Sequence, residues 1–322
     1  MAWGGPGVPY ARWVTSVTVR VPAKVNLQLG VGPLRDDGYH DLVNVFCAVS
    51  LFDEVTAAPA DDLAVTVQAA PDAQVAIGGV PVDGDNLAVR AARLVADRLG
   101  VRPLVSLAIR KAIPVAGGMA GGSADAAAAL VACARLWDDP AAPKLDLDAL
   151  LALGAELGSD VPFALLGGVA VGLGRGERLT PVPAGGTFHW VFATADGGLS
   201  TPAVYAECDR LRAAQGEETP WPAESPELMA ALAAGDARAL GAALTNDLQP
   251  AAIMLRPSLR RTVDTGRDLG ALGALVSGSG PTCAFLAADE QHAADLAAAL
   301  AAADVAASVV RAHGPVPGAT IL

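Results

Sequence analysis

Between Pro114 and Ser123 the chain reads Pro114, Val115, Ala116, Gly117, Gly118, Met119, Ala120, Gly121, Gly122, Ser123, placing four glycines in the six residues 117–122. A plain connection between elements has a median length of only ~4–6 residues and rarely needs so many. Glycine lets the backbone approach a ligand closely with its N–H groups pointing inward, and a helix beginning at Ser123 adds about half a positive charge at its N-terminus. Together these features describe an anion site, with phosphate the natural occupant. Three common nucleotide signatures are absent. Gly122-Ser123 lacks the lysine that ends a Walker loop. A dinucleotide fingerprint would follow the first strand, with an acidic residue about twenty positions on, whereas this loop lies far into the chain. Neither His-Arg-Asp nor Asp-Phe-Gly, the marks of a protein kinase, occurs.

Composition narrows what the loop can serve. The 322 residues are 52% hydrophobic, ample for a real core and more than one domain usually holds. A net charge of −12 and a pI near 4.7 exclude the basic face that nucleic-acid binding needs, so a phosphate-bearing ligand must be held by local donors. Lys24, Lys111 and Lys144 are the only lysines in an arginine-rich chain, and each therefore invites a local explanation. Cys47, Cys133, Cys208 and Cys283 match neither a disulfide framework nor a metal pair and read as reduced thiols of a cytoplasmic protein. His189, His292 and His313 show no ligand spacing. No apolar run is long enough to span a membrane. Residues 1–15 have no signal-peptide run and are expected to be a disordered extension or a mis-called start.

The elements around the loop follow from periodicity. Ser16 to Val21 alternates as a half-buried strand that Pro22 ends, leaving Pro22 to Asn26 at an edge or turn. Residues 43–51, 54–58 and 63–68 read as further strands. Asp85 or Asn86 caps a helix that Gly100 stops. Strand Val105 to Ile109, the glycine loop and helix Ser123 to Trp137 follow, the helix with an apolar side of Ala126, Ala127, Leu130, Val131 and Ala134. Helices over 147–157 and 160–166 and strand 169–174 come next. The pattern restarts near Thr180: strand 188–193, helices over 227–234 and 237–244, helix 258–269, strands 274–277 and 283–286 around a glycine turn, helix 290–302 and strand 306–311. The expectation is α+β with two domains, 16–178 and 179–322.

Three segments, Pro22-Ala-Lys-Val-Asn26, Pro114 to Ser123 and Ser277-Gly-Ser-Gly-Pro-Thr282, resemble the three motifs of the GHMP small-molecule kinases across nearly the whole chain. Asp37-Gly-Tyr-His40, Asp85-Asn-Leu87, Gly158-Ser-Asp-Val-Pro162 and Asn246-Asp-Leu248 resemble the branch that phosphorylates the tertiary 2-hydroxyl of a methylerythritol joined to cytidine diphosphate, in the non-mevalonate isoprenoid pathway. The resemblance implies a two-domain GHMP-kinase-type α+β fold with its active site in the cleft between domains. ATP is the co-substrate, Mg²⁺ arrives with it, and no protein metal ligand is expected. The oligomer is a monomer or a homodimer.

By the same resemblance Asp160 is the catalytic base and Lys24 its cationic partner, the lesser alternative for Asp160, two residues before Pro162, being a helix N-cap. Asn26, Tyr39, His40, Thr201 and Tyr205 fall on the acceptor, with aromatic rings against the cytosine. Asn86 and Lys111 fall near the adenosine, Asn86 also being open to the helix-cap reading, and Pro114 to Ser123 hold the triphosphate. Ala116 and Ala120 depart from glycine, and Asp125 stands where asparagine is common. The turn from Ser277 to Pro281 either supports the phosphate loop or simply joins two strands. The rivals are a homoserine or mevalonate kinase of the same superfamily, against which the base-binding residues argue, and a binding protein of this fold without turnover.

Overall fold

Valine-rich alternation builds the platform of the molecule. The computed structural model describes residues 15–73, 75–115, 117–138, 144–216 and 219–322. The chain starts with one long antiparallel hairpin, β1 (Val17–Leu34) and β2 (His40–Pro59), in register from Val17 opposite Ala57 to Leu34 opposite His40. Pro22 does not end β1. It sits where the register shifts between Pro22 and Ala23, at an irregularity that tolerates a residue without an N–H. For the same reason residues 43–51 and 54–58 join into one strand. The outcome for the site is that Lys24 and Asn26 stand on a central strand rather than a turn.

β3 (Ala64–Ala69) pairs in parallel with β4 (Val105–Lys111), which lies against the end of β2. Between them runs α1 (Leu87–Leu99), capped by the Asn86 side chain on the Ala88 N–H and stopped by Gly100 at φ 68°. After the glycine loop come α2 (Gly121–Leu136), α3 (Leu147–Leu157) and α4 (Val161–Leu166). β5 (Val169–Gly174) then pairs with β2, and β6 (Arg178–Pro181) with β5. The expected domain boundary after residue 178 falls inside β6. The apolar side expected of α2 is wider than a stripe. The run from Ala124 to Leu130 is buried on all sides, because alanines let the helix backbone pass close to both sheet and neighbouring helices.

The second sheet has the order β11-β7-β10-β9, from β7 (Phe188–Thr194), β9 (Gly273–Val276), β10 (Cys283–Ala287) and β11 (Ser308–Gly314), all antiparallel. Its helices are α5 (Thr201–Gln215), α6 (Pro226–Ala234), α7 (Ala237–Ala243), α8 (Gln249–Leu255), α9 (Ser258–Asp268) and α10 (Glu290–Ala302). Two short strands return to the first sheet: β8 (Thr245–Asn246) runs parallel to β1 at Gln28 and Leu29, and β12 (Thr320–Ile321) pairs with its start. Alternation along β7 divides the interior. Phe188, Trp190 and Phe192 join the large apolar cluster that also holds Val45, Leu107 and Leu130, whereas Val191 and Ala193 face a second cluster with Leu29, Val31 and Phe285. The two sheets therefore share a core, and the glycine loop lies where they meet.

Candidate active site

The loop between β4 and α2 is shaped by contacts with the distant turn between β9 and β10. Gly118 has φ 74°, and a Cβ there would stand 2.1 Å from the Ser277 carbonyl oxygen. On Gly117 a Cβ would stand 2.8 Å from Thr282 Oγ1. The Thr282 N–H donates to the Gly117 carbonyl at 3.3 Å, and Ser277 Oγ donates to that of Gly118 at 3.2 Å. Asn246 holds the turn in place by donating from Nδ2 to the carbonyls of Val276 and Gly278. The Ser277 to Pro281 segment thus supports the loop as well as joining two strands.

Ala120 closes the loop as the N-cap of α2, with φ 62° and no side-chain cap bond. The first-turn N–H groups of α2 are left without a capping side chain, and Gly121, Gly122 and Ser123 line the adjoining cavity. An alanine in the left-handed region costs roughly 1–2 kcal/mol, more than the ~0.4–1 kcal/mol that glycine adds to the unfolded chain's freedom. Ala120→Gly is therefore expected to raise unfolding stability by up to about 1 kcal/mol, read by denaturant titration. A loss of stability would mean that the left-handed alanine is not strained.

The cavity bounded by this loop measures about 860 Å³, and Gly117, Gly118 and Ala120 line it as well. Its floor is Lys24, 6% exposed. Lys24 Nζ donates to Asn26 Oδ1 at 2.6 Å, and Asn26 Nδ2 donates to Asn44 Oδ1 at 2.7 Å. Positions 24 and 26 share one face of β1, so the strand's period aims both side chains into the same space. Lys24 Nζ lies 4.0 Å from Asp160 Oδ2. Burial pulls the Lys24 pKa below the ordinary lysine value, and the Asp160 charge opposes that shift. Asp160 occupies the N-cap position of α4 yet makes no side-chain cap bond. Its carboxylate lines the cavity.

The far end of the cavity is aromatic. His40 stacks on Tyr205 with ring centroids 5.3 Å apart and 23° between planes. His40 Nδ1 donates to the Gly32 carbonyl at 2.9 Å, while Nε2 lies 3.4 Å from Asp209 Oδ2. Burial raises the Tyr205 hydroxyl pKa, and the negative charge of Asp160 adds to it. Tyr39 is exposed at the rim with the Arg175 guanidinium 5.3 Å from its ring centroid. Thr201 Oγ1 is hydrogen-bonded to Ser279 Oγ at 2.9 Å, tying the start of α5 to the glycine turn. All of these residues except Gly32 line the same cavity. Arg175 and Asp209 were not legible in the sequence, because only the packing of β5 and α5 carries them there.

Several residues expected at the nucleotide do not line the cavity. Asn86 is 4% exposed, its Oδ1 accepting from the Ala88 N–H and its Nδ2 donating to the Pro81 carbonyl, so the cap reading holds its side chain. Lys111 is buried beneath the loop between two carboxylates, where its ammonium cannot reach the cavity. Burial lowers the Lys111 pKa, but Asp125 and Asp53 outweigh it and the net shift is upward. Burial likewise drives the Asp125 carboxyl well above the usual range against the pull of Lys111. Met119 is fully buried, and its carbonyl accepts from the Lys24 N–H at 3.3 Å. Pro114 and Val115 lead into the loop without lining the cavity, and Ala116 lies outside the described residues.

The chain is similar to known proteins along most of its length. Residues 86–168 match the family model described as the GHMP kinases N terminal domain, and residues 228–306 match that of the GHMP kinases C terminal. A 4-diphosphocytidyl-2-C-methyl-D-erythritol kinase of Thermobifida fusca is 61% identical over 311 residues, covering 96% of this chain and 99% of that protein. One of Streptomyces coelicolor is 58% identical over 308 residues, covering 95% and 99%. Among solved structures, a 4-(cytidine 5'-diphospho)-2C-methyl-D-erythritol kinase superposes with a TM-score of 0.72 at 34% identity, covering 92% of this chain and 98% of the other. A homoserine kinase from Cytophaga hutchinsonii shares the fold with a TM-score of 0.69 at 18% identity, covering 98% of this chain and 100% of that one.

Proposed function

The chain belongs to the GHMP kinase family and, within it, to the 4-diphosphocytidyl-2-C-methyl-D-erythritol kinases, and from that premise we propose how its own residues divide the work of an ATP-dependent small-molecule kinase. The γ-phosphate of ATP passes to the tertiary 2-hydroxyl of the methylerythritol moiety. An O–P bond forms at the acceptor, the bond to the β-phosphate oxygen breaks, ADP leaves, and the hydroxyl proton goes to the Asp160 carboxylate. The observation that carries this reading is the arrangement of one cavity: a glycine loop on one wall, Lys24 and Asp160 at its floor, and the His40–Tyr205 stack at its other end.

Phosphoryl transfer needs positioning and charge stabilisation more than covalent chemistry. The loop N–H groups and the α2 N-terminus receive the triphosphate. Lys24 stands beside Asp160, orients the hydroxyl through Asn26 and offsets charge on the phosphoryl group in flight. Among the described residues no three or more His, Cys, Asp or Glu side chains gather closely enough to hold a metal ion. Mg²⁺ enters in this reading as part of the MgATP substrate, coordinated mainly by phosphate and water. Tyr205, Tyr39 and His40 receive the cytosine, and Arg175 beside Tyr39 is suited to the acceptor diphosphate. The four cysteines are free and buried, which supports work in the reducing cytoplasm. No helix among the described residues is long and apolar enough to cross a membrane.

A substrate panel with ATP tests the assignment. The cytidine diphosphate-linked methylerythritol is expected to be turned over at a kcat/KM at least ~10²-fold above homoserine or mevalonate, since neither carries a base to occupy the stack. Preference for either acyclic acceptor would sink the acceptor assignment while leaving the kinase chemistry intact.

A further inference from the structure

Behind the glycine loop, facing away from the cavity, lies a charge cluster that direct ligand contact does not explain. Lys111, 1% exposed at the end of β4, places Nζ 2.6 Å from Asp53 Oδ2 on β2 and 2.6 Å from Asp125 Oδ2 on α2. It also lies 3.5 Å from the Gly121 carbonyl at the start of α2. Asp53 Oδ1 accepts from the N–H groups of Ala112 and Ile113, at 2.6 and 2.9 Å, where β4 gives way to the loop. Both rims of the loop are therefore fastened through a single ammonium group.

Stability alone does not call for this cluster. Buried ion pairs are commonly replaceable by apolar side chains of equal volume without loss, because desolvation offsets their attraction. Here the balance is less favourable still: two acids face one base, and Asp125 Oδ1 is buried with no hydrogen-bond partner. What the cluster does provide is a fixed distance and direction. Apolar contacts allow neighbouring elements to slide, whereas short charged hydrogen bonds set the register of one element on another. The packing leaves little slack, since a Cβ on Gly121 would meet Ile113 Cγ2 at 3.2 Å and Lys111 Nζ at 3.5 Å.

We propose that Lys111 and Asp125 are positioning residues for the phosphate donor: their bond sets the separation between the end of β4 and the first turn of α2, so that the loop N–H groups converge on the triphosphate. The inference rests on the reading that the loop holds ATP. Neither side chain lines the cavity. Each acts through the backbone it fastens.

Asp125→Ala is the informative variant, because it removes the tie to α2 and leaves Lys111 neutralised by Asp53. Its affinity for MgATP, by calorimetry, is expected to fall about tenfold or more, while the acceptor KM stays within about twofold. Asp125→Asn, whose side-chain oxygen still accepts from Lys111, is expected to regain most of that loss. Wild-type MgATP affinity in Asp125→Ala, or equal weakness in Asp125→Asn, would overturn the proposal and leave the cluster a packing feature. Gly118→Ala separates the two layers of the argument. If it weakens MgATP binding and Asp125→Ala does not, only the positioning role fails; if it leaves MgATP binding intact, the reading of the loop fails as well. Should Asp125→Ala not fold, Lys111→Met with Asp53→Asn and Asp125→Asn removes the same tie without leaving a buried carboxylate unpaired, and normal MgATP affinity in that triple variant would equally overturn it.

Discussion

Asp160→Ala is expected to lower kcat at least ~10²-fold while MgATP still binds, the scale of a lost, positioned acid or base. Three features make the effect catalytic rather than structural. The carboxylate makes no cap bond to α4, so its removal leaves no helix donor newly unpaired. With a third of the side chain exposed, truncation opens no sealed core cavity. The nearest charge is Lys24, whose pKa burial already depresses and Asp160 partly restores. Losing Asp160 therefore removes the proton acceptor and also weakens the cationic state of Lys24, and both changes oppose transfer. Asp160→Asn would keep the shape and remove the basicity, so an equal loss in both variants would assign the effect to proton acceptance. Single-turnover kinetics with calorimetric MgATP binding make the measurement, and near-normal turnover in either variant would refute Asp160 as the base.

What is legible in the sequence depends on how local the cause is. The bounds of α3, β5 and α10 follow from periodicity and terminators within each segment, and the αL glycine after α1 and the Asp146 cap of α3 are signals of the same local kind. α5 shows no such pattern, because only Val204 and Cys208 are buried along it and no apolar stripe forms. Ser200, Pro202 at its first turn and Gly216 in αL are the signals that could have found it. Two-residue strands such as β8 and β12 are created by their partners on β1 and carry no pattern of their own. The site divides in the same way. Gly117 to Ser123, Lys24 and Asp160 announce themselves by residue type and motif, whereas Arg175 and Asp209 reach the cavity only through packing. Lys111 shows the converse. Its rarity in an arginine-rich chain marks it as special, yet only the positions of Asp53 and Asp125 decide which way its ammonium points.

Gly118→Ala should be the other severe variant, with kcat/KM for MgATP falling by at least ~10²-fold, because a misplacement of about 1 Å at a reacting centre is worth that much. Two independent penalties meet at this position. A φ of 74° costs an alanine roughly 1–2 kcal/mol wherever it occurs. The added Cβ would also stand 2.1 Å from the Ser277 carbonyl oxygen and 3.1 Å from the Gly280 N–H nitrogen, both backbone atoms that no side-chain rotation can move aside. Either the loop retreats into the cavity or the β9–β10 turn is pushed off it, and each movement displaces the N–H groups that meet the triphosphate. Gly100→Ala isolates the first penalty. Gly100 has φ 68° at the end of α1, and a methyl added there would have nothing within 4 Å, so its substitution should lower unfolding stability by about 1 kcal/mol and leave the kinetics alone. If Gly118→Ala lost only what Gly100→Ala loses, the contact between loop and turn would be incidental to catalysis. A kinetic collapse confined to Gly118→Ala would instead identify that contact as what couples the C-terminal turn to the phosphate donor.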